Sequence, residues 1–237
     1  MFKTLAKSDL KKLPTGTFTI VVPFREQVEQ KRGEQLKKFI AYFEKLEWPV
    51  LIVEQTEGKK FNRGALLNVG YDLVDTDYII YHDVDLLPKQ TLLPYYIAFP
   101  ESPIHIGKSI TKYDGPLFLG AVVSVSKKDY KAINGFPNNF WGWGGEDDAF
   151  RVRLERAGIK VLQPKIKSGF TELLHVDTRT NPEWKNLEKW EGMKEEREGT
   201  NKSGLSNLKY DIVGKEQITP NILKVTVDIL KVSYSAR

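Results

Sequence analysis

Tyr78-Ile79-Ile80-Tyr81-His82-Asp83-Val84-Asp85 decides the fold of this chain. A short apolar run ends abruptly in two carboxylates one residue apart. Such a run reads as a buried strand, and its acids fall where strand gives way to loop. Two similar runs lie upstream. Thr17-Phe18-Thr19-Ile20-Val21-Val22 is stopped by Pro23, and Val50-Leu51-Ile52-Val53 follows Pro49. Between them residues 26–46 have a helical pattern, with Leu36, Phe39, Ile40 and Phe43 on one face. A second helix is predicted from residue 65, with Leu66, Val69 and Leu73 inward. Strands alternating with helices at this spacing predict an α/β fold with a mostly parallel sheet. Ligands of such sheets bind outside the carboxyl ends of the strands. Pro23-Phe24-Arg25 and Asp83-Val84-Asp85 both fall at such ends.

Further along, residues 117–126 read as another buried strand, 127–133 as a short helix and Asn134-Gly135-Phe136-Pro137 as a turn. A helix over 149–157, ended by Gly158, precedes a strand at 159–162. Trp184, Leu187, Trp190 and Met193 recur every third residue and predict a core-facing stripe on a charged helix. Residues 204–210 and 222–230 read as closing strands. At the start, Phe2, Leu5, Leu10 and Leu13 with lysines between them suggest a short amphipathic helix or a docked terminus. With no linker or repeat, residues 1–237 are expected to form a single domain.

Composition narrows the function classes. The chain has 41% hydrophobic and 28% charged residues, a net charge of +5 and no cysteine. Disulfides and thiolate chemistry are therefore excluded. Basic residues are scattered among acids without a stripe of interleaved aromatics, so a nucleic-acid partner is not expected. No run approaches the roughly 18 apolar residues of a spanning helix, so no transmembrane segment is expected. A soluble cytoplasmic protein is the expectation, or else a trimmed luminal domain.

Three clusters carry chemistry. Asp83-Val84-Asp85 offers hard oxygen ligands for Mg²⁺ or Mn²⁺, which commonly bridge carboxylates and phosphates. Glu172, His175 and Asp177 add imidazole and carboxylate, a set that suits Mn²⁺. Trp141-Gly142-Trp143-Gly144-Gly145-Glu146-Asp147-Asp148 joins flat aromatic faces to adjacent acids on a flexible backbone. That combination suits a sugar, whose ring stacks on indole while its hydroxyls bond to carboxylates. The same acids would also complement the dipole of the helix that follows. Arg25 and Arg63 could pair with phosphates, and Phe24 or Phe61 could stack on a base. His82 and His105 lack such company and read as structural. Neither a P-loop nor a dinucleotide fingerprint is present.

Taken in order, these segments resemble the β-1,4-galactosyltransferase family. The matching pieces are Pro23-Phe24-Arg25, Phe61-Asn62-Arg63, Leu66-Leu67-Asn68-Val69-Gly70, Asp83-Val84-Asp85-Leu86, Asn134 through Asn139, Trp141 through Asp148, Gly204 through Leu208 and Thr226-Val227-Asp228. The resemblance implies a Rossmann-like fold of the nucleotide-diphosphosugar transferase type, with helices flanking the sheet. It implies Mn²⁺, a UDP-sugar donor, a glycan acceptor and inversion at the anomeric carbon. By position, Pro23, Phe24, Arg25, Phe61 and Arg63 look like uridine-nucleotide contacts, and Asp83, Val84 and Asp85 like the metal and nucleotide motif. Asp85 and His175 match metal ligands, with Asp177 preferred to Glu172 as the third. Asp147 matches the general base, Glu146 and Asp148 the groups that hold substrates, and Trp143 the residue of a mobile loop. Gln27 stands where many relatives have a second basic residue, and Phe118 where they often have Tyr beside the donor sugar. UDP-galactose is the expected donor. UDP-N-acetylgalactosamine or UDP-glucose, or a non-catalytic glycan-binding relative, are the alternatives.

Overall fold

The apolar runs of the first hundred residues become the middle of a six-stranded sheet. The computed structural model describes residues 1–111, 115–174, 176 and 181–231. The strands are β1 (Phe2–Leu5), β2 (Phe18–Phe24), β3 (Val50–Gln55), β4 (Tyr78–His82), β5 (Leu86–Pro88), β6 (Val122–Ser126), β7 (Val161–Pro164), β8 (Phe170–Glu172), β9 (Tyr210–Thr219) and β10 (Ile222–Ile229). The helices are α1 (Lys7–Leu10), α2 (Arg32–Glu44), α3 (Arg63–Leu73), α4 (Leu93–Ile97), α5 (Lys127–Ala132), α6 (Glu146–Arg156) and α7 (Lys189–Glu198). The main sheet runs β6-β4-β2-β3-β10-β9. Its four central strands are parallel, and β6 and β9 close the two edges antiparallel. Small pairings, β1 with β7 and β5 with β8, lie outside this order.

Strand alternation sends successive side chains to opposite faces. Ile20, Val22, Ile52 and Ile80 pack with Phe39 and Phe43 of α2 on one side. Val21, Leu51, Val53 and Ile79 pack with Leu66 and Val69 of α3 on the other. The expected helical faces are therefore the observed ones. At about 25 cal/mol per Å² of apolar surface removed from water, these two layers are the main stabilising contribution.

Several boundaries differ from expectation, each for a local reason. Strand β2 continues through Pro23 and Phe24 rather than stopping at Val22. Pro23 lies past Val21, the last residue paired to β4, so its missing N–H costs no bond on that side. Helix α2 starts at Arg32, because Lys31 adopts a left-handed φ of 56° and separates it from a short 3-10 turn at Val28–Gln30. Only Val122–Ser126 of the run at 117–126 is strand; Ala121 has φ 66° and turns the chain beforehand. Residues 204–210 form a 3-10 turn at Leu205–Asn207 in place of a strand, and β9 follows it. The amino terminus is a strand paired to β7, followed by one helical turn.

The Trp184–Met193 stripe departs furthest from the expected core-facing arrangement. Met193 is buried, but Leu187 is 76% and Trp190 69% exposed. Helix α7 begins only at Lys189, so the three-residue spacing runs through a 3-10 turn and a loop and defines no common face. Among the described residues no helix is long and apolar enough to cross a membrane.

Candidate active site

The carboxyl ends of β2, β3 and β4 open onto a cavity of about 1110 Å³. Pro23, Phe24, Arg25, Phe61, Arg63, Asp83, Val84, Asp85, Trp143, Glu146, Asp147 and Asp148 all line it. The sequence places these residues up to 125 positions apart, and the parallel sheet brings them to one end.

Arg63 is the hub. It is the first residue of α3, and the Asn62 side chain caps that helix by accepting from the Ala65 N–H at 3.0 Å. The Asn62 carboxamide also donates to the Asn138 carbonyl at 2.7 Å, fixing the helix start to the base of the Trp-Gly loop. From there Arg63 donates Nε and Nη2 to Asp83 Oδ1 at 3.0 and 2.8 Å, and Nη1 to Asp147 Oδ1 at 2.8 Å. Its guanidinium lies over the Tyr81 ring, 5.6 Å from the centroid. Burial works against the Arg63 charge, but Asp147, Asp83 and Glu146 outweigh it and hold the proton more firmly than usual. Arg63, expected as a nucleotide contact, is thus committed to two carboxylates.

Asp147 sits in the first turn of α6 with Glu146 and Asp148. Burial, the largest effect, pushes its carboxyl well above the ordinary carboxylate range. Arg63 opposes that shift, while Glu146, Asp83 and Asp148 reinforce it. Burial likewise raises Glu146, against the pull of Arg63. Glu146 Oε2 is buried with no hydrogen-bond partner in the protein. An orphaned buried acceptor lining a cavity is the kind of group a ligand hydroxyl satisfies. Asp148 is more exposed and lies 3.7 Å from Arg151.

Sequence reasoning missed Gly120, which makes room for Asp147. A Cβ there would lie 2.4 Å from Asp147 Oδ2. His105, buried and lowered to about 3 mainly by that burial, holds the Gly120 carbonyl at 3.1 Å. Its ring packs on Phe118, which also lines the cavity.

Asp83 and Asp85 occupy the turn between β4 and β5 rather than a strand, so alternation does not set their directions. Asp83 is taken by Arg63, and its carboxyl is raised by burial with Arg63 opposing. Asp85 faces Arg32 at 3.4 Å. His82 steadies the turn from beneath. Its Nδ1 donates to the Asp83 carbonyl at 2.8 Å, leaving Nε2 to accept from the Tyr96 hydroxyl at 2.8 Å. Burial lowers this imidazole to about 4, so it is neutral in ordinary buffers.

His175 and Asp177 lie outside the described residues. Their neighbours do come to Asp85. The Leu173 N–H donates to the Asp85 carbonyl at 2.8 Å. Gln35 and Gln30 donate to the Leu174 and Val176 carbonyls at 3.2 and 3.3 Å, and both carboxamides accept from Arg32. Glu172, the other option for a third ligand, is engaged elsewhere: Thr111 donates both its N–H and its hydroxyl to Oε1 at 2.6 Å. Among the described residues no three His, Asp or Glu side chains form a metal-binding group.

On the far wall, Trp143 is 39% exposed and held through its backbone. Its N–H donates to the Trp184 carbonyl at 2.6 Å, and its carbonyl accepts from Asn186 at 3.0 Å. Gly142 has φ 94°, and a Cβ there would lie 2.7 Å from the Lys185 carbonyl. Trp184 and Leu187, expected in the core, line the cavity beside it. Arg25 donates to the Lys59 carbonyl and lies 5.6 Å from the Phe61 ring centroid. Gln27 lines the same region.

The family model described as the N-terminal region of glycosyl transferase group 7 matches residues 11–97. The one described as the N-terminal domain of galactosyltransferase matches 103–176. The chain is 33% identical to human β-1,4-galactosyltransferase 7 over 215 residues, 84% of this chain and 63% of that protein. It is 33% identical to the Drosophila melanogaster β-1,4-galactosyltransferase 7 over 221 residues, 88% of this chain and 67% of that protein. The chain therefore spans about two thirds of the length of these relatives. A crystal structure of a mutant of the Drosophila enzyme in complex with manganese, UDP-Gal and xylobiose superposes with a TM-score of 0.77 at 28% identity. That match covers 91% of this chain and 95% of the other. The fold is that of the nucleotide-sugar transferases, as expected, and the chain belongs to the β-1,4-galactosyltransferase family.

Proposed function

We propose that residues 1–237 act as one catalytic domain that moves galactose from UDP-galactose to a sugar hydroxyl of a glycan, with inversion and with Mn²⁺. The observation that carries this reading is the Arg63 bridge between Asp83 and Asp147 on one cavity wall. It ties a diphosphate-and-metal motif to a carboxylate of raised basicity.

Asp147 is the general base. Its ionised carboxylate takes the proton of the acceptor hydroxyl as that oxygen bonds to the anomeric carbon and the bond to UDP breaks. Matching of basicity to operating pH favours a carboxyl pushed above the ordinary range. Arg63 keeps the base oriented, and Glu146 Oε2 accepts a sugar hydroxyl. Asp148 completes the acidic rim. Pro23, Phe24, Arg25 and Phe61 hold the uridine nucleotide, and Trp143 covers the sugars.

The Asp85 carboxylate, which faces Arg32 here, is a hard oxygen donor of the kind a divalent cation takes. Asp85, with His175 and Asp177, would hold Mn²⁺, and Val84 follows the nucleotide between the two acids. When bound, the metal supplies Lewis-acid stabilisation of the departing diphosphate. Because Phe118 brings no hydroxyl to the cavity, UDP-N-acetylgalactosamine and UDP-glucose are the donors to run in competition with UDP-galactose.

The test is Asp147→Asn. Transfer is expected to fall roughly 10²–10⁴-fold, the range of general-base contributions. Near-normal turnover by a folded variant would remove the assigned base.

A further inference from the structure

Two cavity cations are left over once the charges of the site are paired and Arg25, on the Lys59 carbonyl and beside Phe61, is given to the proposed nucleotide contact. Arg63 has Asp83 and Asp147, Arg32 has Asp85, and Lys59 has Asp228 at 2.7 Å. Lys60 and Lys189 also line the cavity and are half-buried, yet neither has a carboxylate within 4.0 Å among the described residues. They flank Trp143. Lys60 Nζ donates to the Lys185 carbonyl at 2.9 Å, the group that closes against Gly142. Lys189 Nζ lies 4.0 Å from where a Cβ on Gly144 would stand, and 4.7 Å from the centroid of the exposed Trp190 ring. A half-buried ammonium without a counter-ion is open to a ligand anion, which would meet it with a charge-assisted hydrogen bond.

We propose that the acceptor is an anionic glycan whose carboxylate or other acidic group sits between Lys60 and Lys189, one sugar away from the hydroxyl at Asp147. This rests on the transferase reading for which end of the cavity receives the acceptor. The cavity is then bipolar: acids meet the reacting hydroxyl, and cations meet the charge on the next sugar.

The experiment is a calorimetric titration of the UDP- and Mn²⁺-loaded protein with xylosyl-glucose and with xylosyl-glucuronate, which differ only at one carboxylate. The wild type is expected to bind the uronate about tenfold more tightly, the size of one charge-assisted contact. The Lys60→Gln/Lys189→Gln variant is expected to bind both disaccharides alike and UDP as before. Glutamine preserves a donor to the Lys185 carbonyl, so loss of preference would report charge. Equal affinities in the wild type overturn the proposal. So does a variant that keeps the preference but loses UDP affinity, which would assign the lysines to the donor diphosphate. Binding is read whether or not transfer occurs, so absent turnover would fall on the transferase reading alone.

Discussion

Arg63 and Trp143 face the same cavity and are held there by opposite means. The Arg63 guanidinium is fixed by two carboxylates, an aromatic face beneath it and a capped helix behind it. Trp143 is held by main-chain hydrogen bonds to Trp184 and Asn186, between glycines with φ of 94°, 110° and 99°. Its indole contributes little to that hold. Charges are therefore set in place before any substrate arrives, as electrostatic preorganisation requires. The aromatic wall is fixed through its main chain, with Trp143 39% exposed to the cavity and solvent.

The largest effect should come from the charged half. Arg63→Met leaves Asp83 and Asp147 without their shared cation, and a cost of about 3 kcal/mol is expected, the low end for breaking a buried pair because both acids keep some exposure. Urea unfolding measures it, and an unchanged midpoint would mean that the bridge is dispensable. Gly120→Ala is next. Its new methyl group meets Asp147 Oδ2, and roughly 1–3 kcal/mol of overpacking is expected together with a loss of transfer. Gly142→Ala puts a side chain at positive φ against the Lys185 backbone, at a cost of roughly 1–2 kcal/mol for the dihedral alone. Thermal melts with parallel assays separate its effect on Trp143 from global destabilisation. Trp143→Ala should change stability by no more than about 0.5 kcal/mol, as exposed positions do, while depressing transfer. A large loss of stability would erase the contrast between the two walls.

A pH series needs no substitution. Because the folded protein raises the Asp147 carboxyl, its proton stays on at pH values where the unfolded chain has released it. The contribution of this group to stability therefore falls as pH climbs from the ordinary carboxylate range through the raised value. On the proposed role of Asp147 as base, activity should move the other way over the same window, since only its ionised form can take a proton. Parallel profiles of kcat/KM and melting temperature check the opposition, and curves rising together would assign the acid limb to another group.

Short-range patterns carried most of what was legible. The apolar runs at 17–22, 50–53 and 78–81 announce strands because burial on both faces leaves no polar alternation to obscure them. The acids at 146–148 announce a helix start, and they form one. The pairing of Arg63 with Asp147 was not legible, since nothing local in either segment refers to residues 84 positions away. Gly120 gave no signal, because its use is the absence of a side chain beside a distant carboxylate. The aromatic spacing at 184–193 crosses a helix start, so it joins two exposed residues and a cavity wall in place of a core stripe.

Strand β10 fills a place inside the main sheet, between β3 and β9, rather than at its margin. Its Asp228 holds Lys59 and Thr56 in the loop that borders the cavity. During synthesis, then, β3 must wait with one edge open until residues 222–229 have left the ribosome, some 170 residues later. A nascent chain stalled short of Asp228 should leave the 56–60 loop open to protease, and protection there would show that the loop settles without its anchor. Among the described strands, the last to emerge thus completes a wall begun by the second and third.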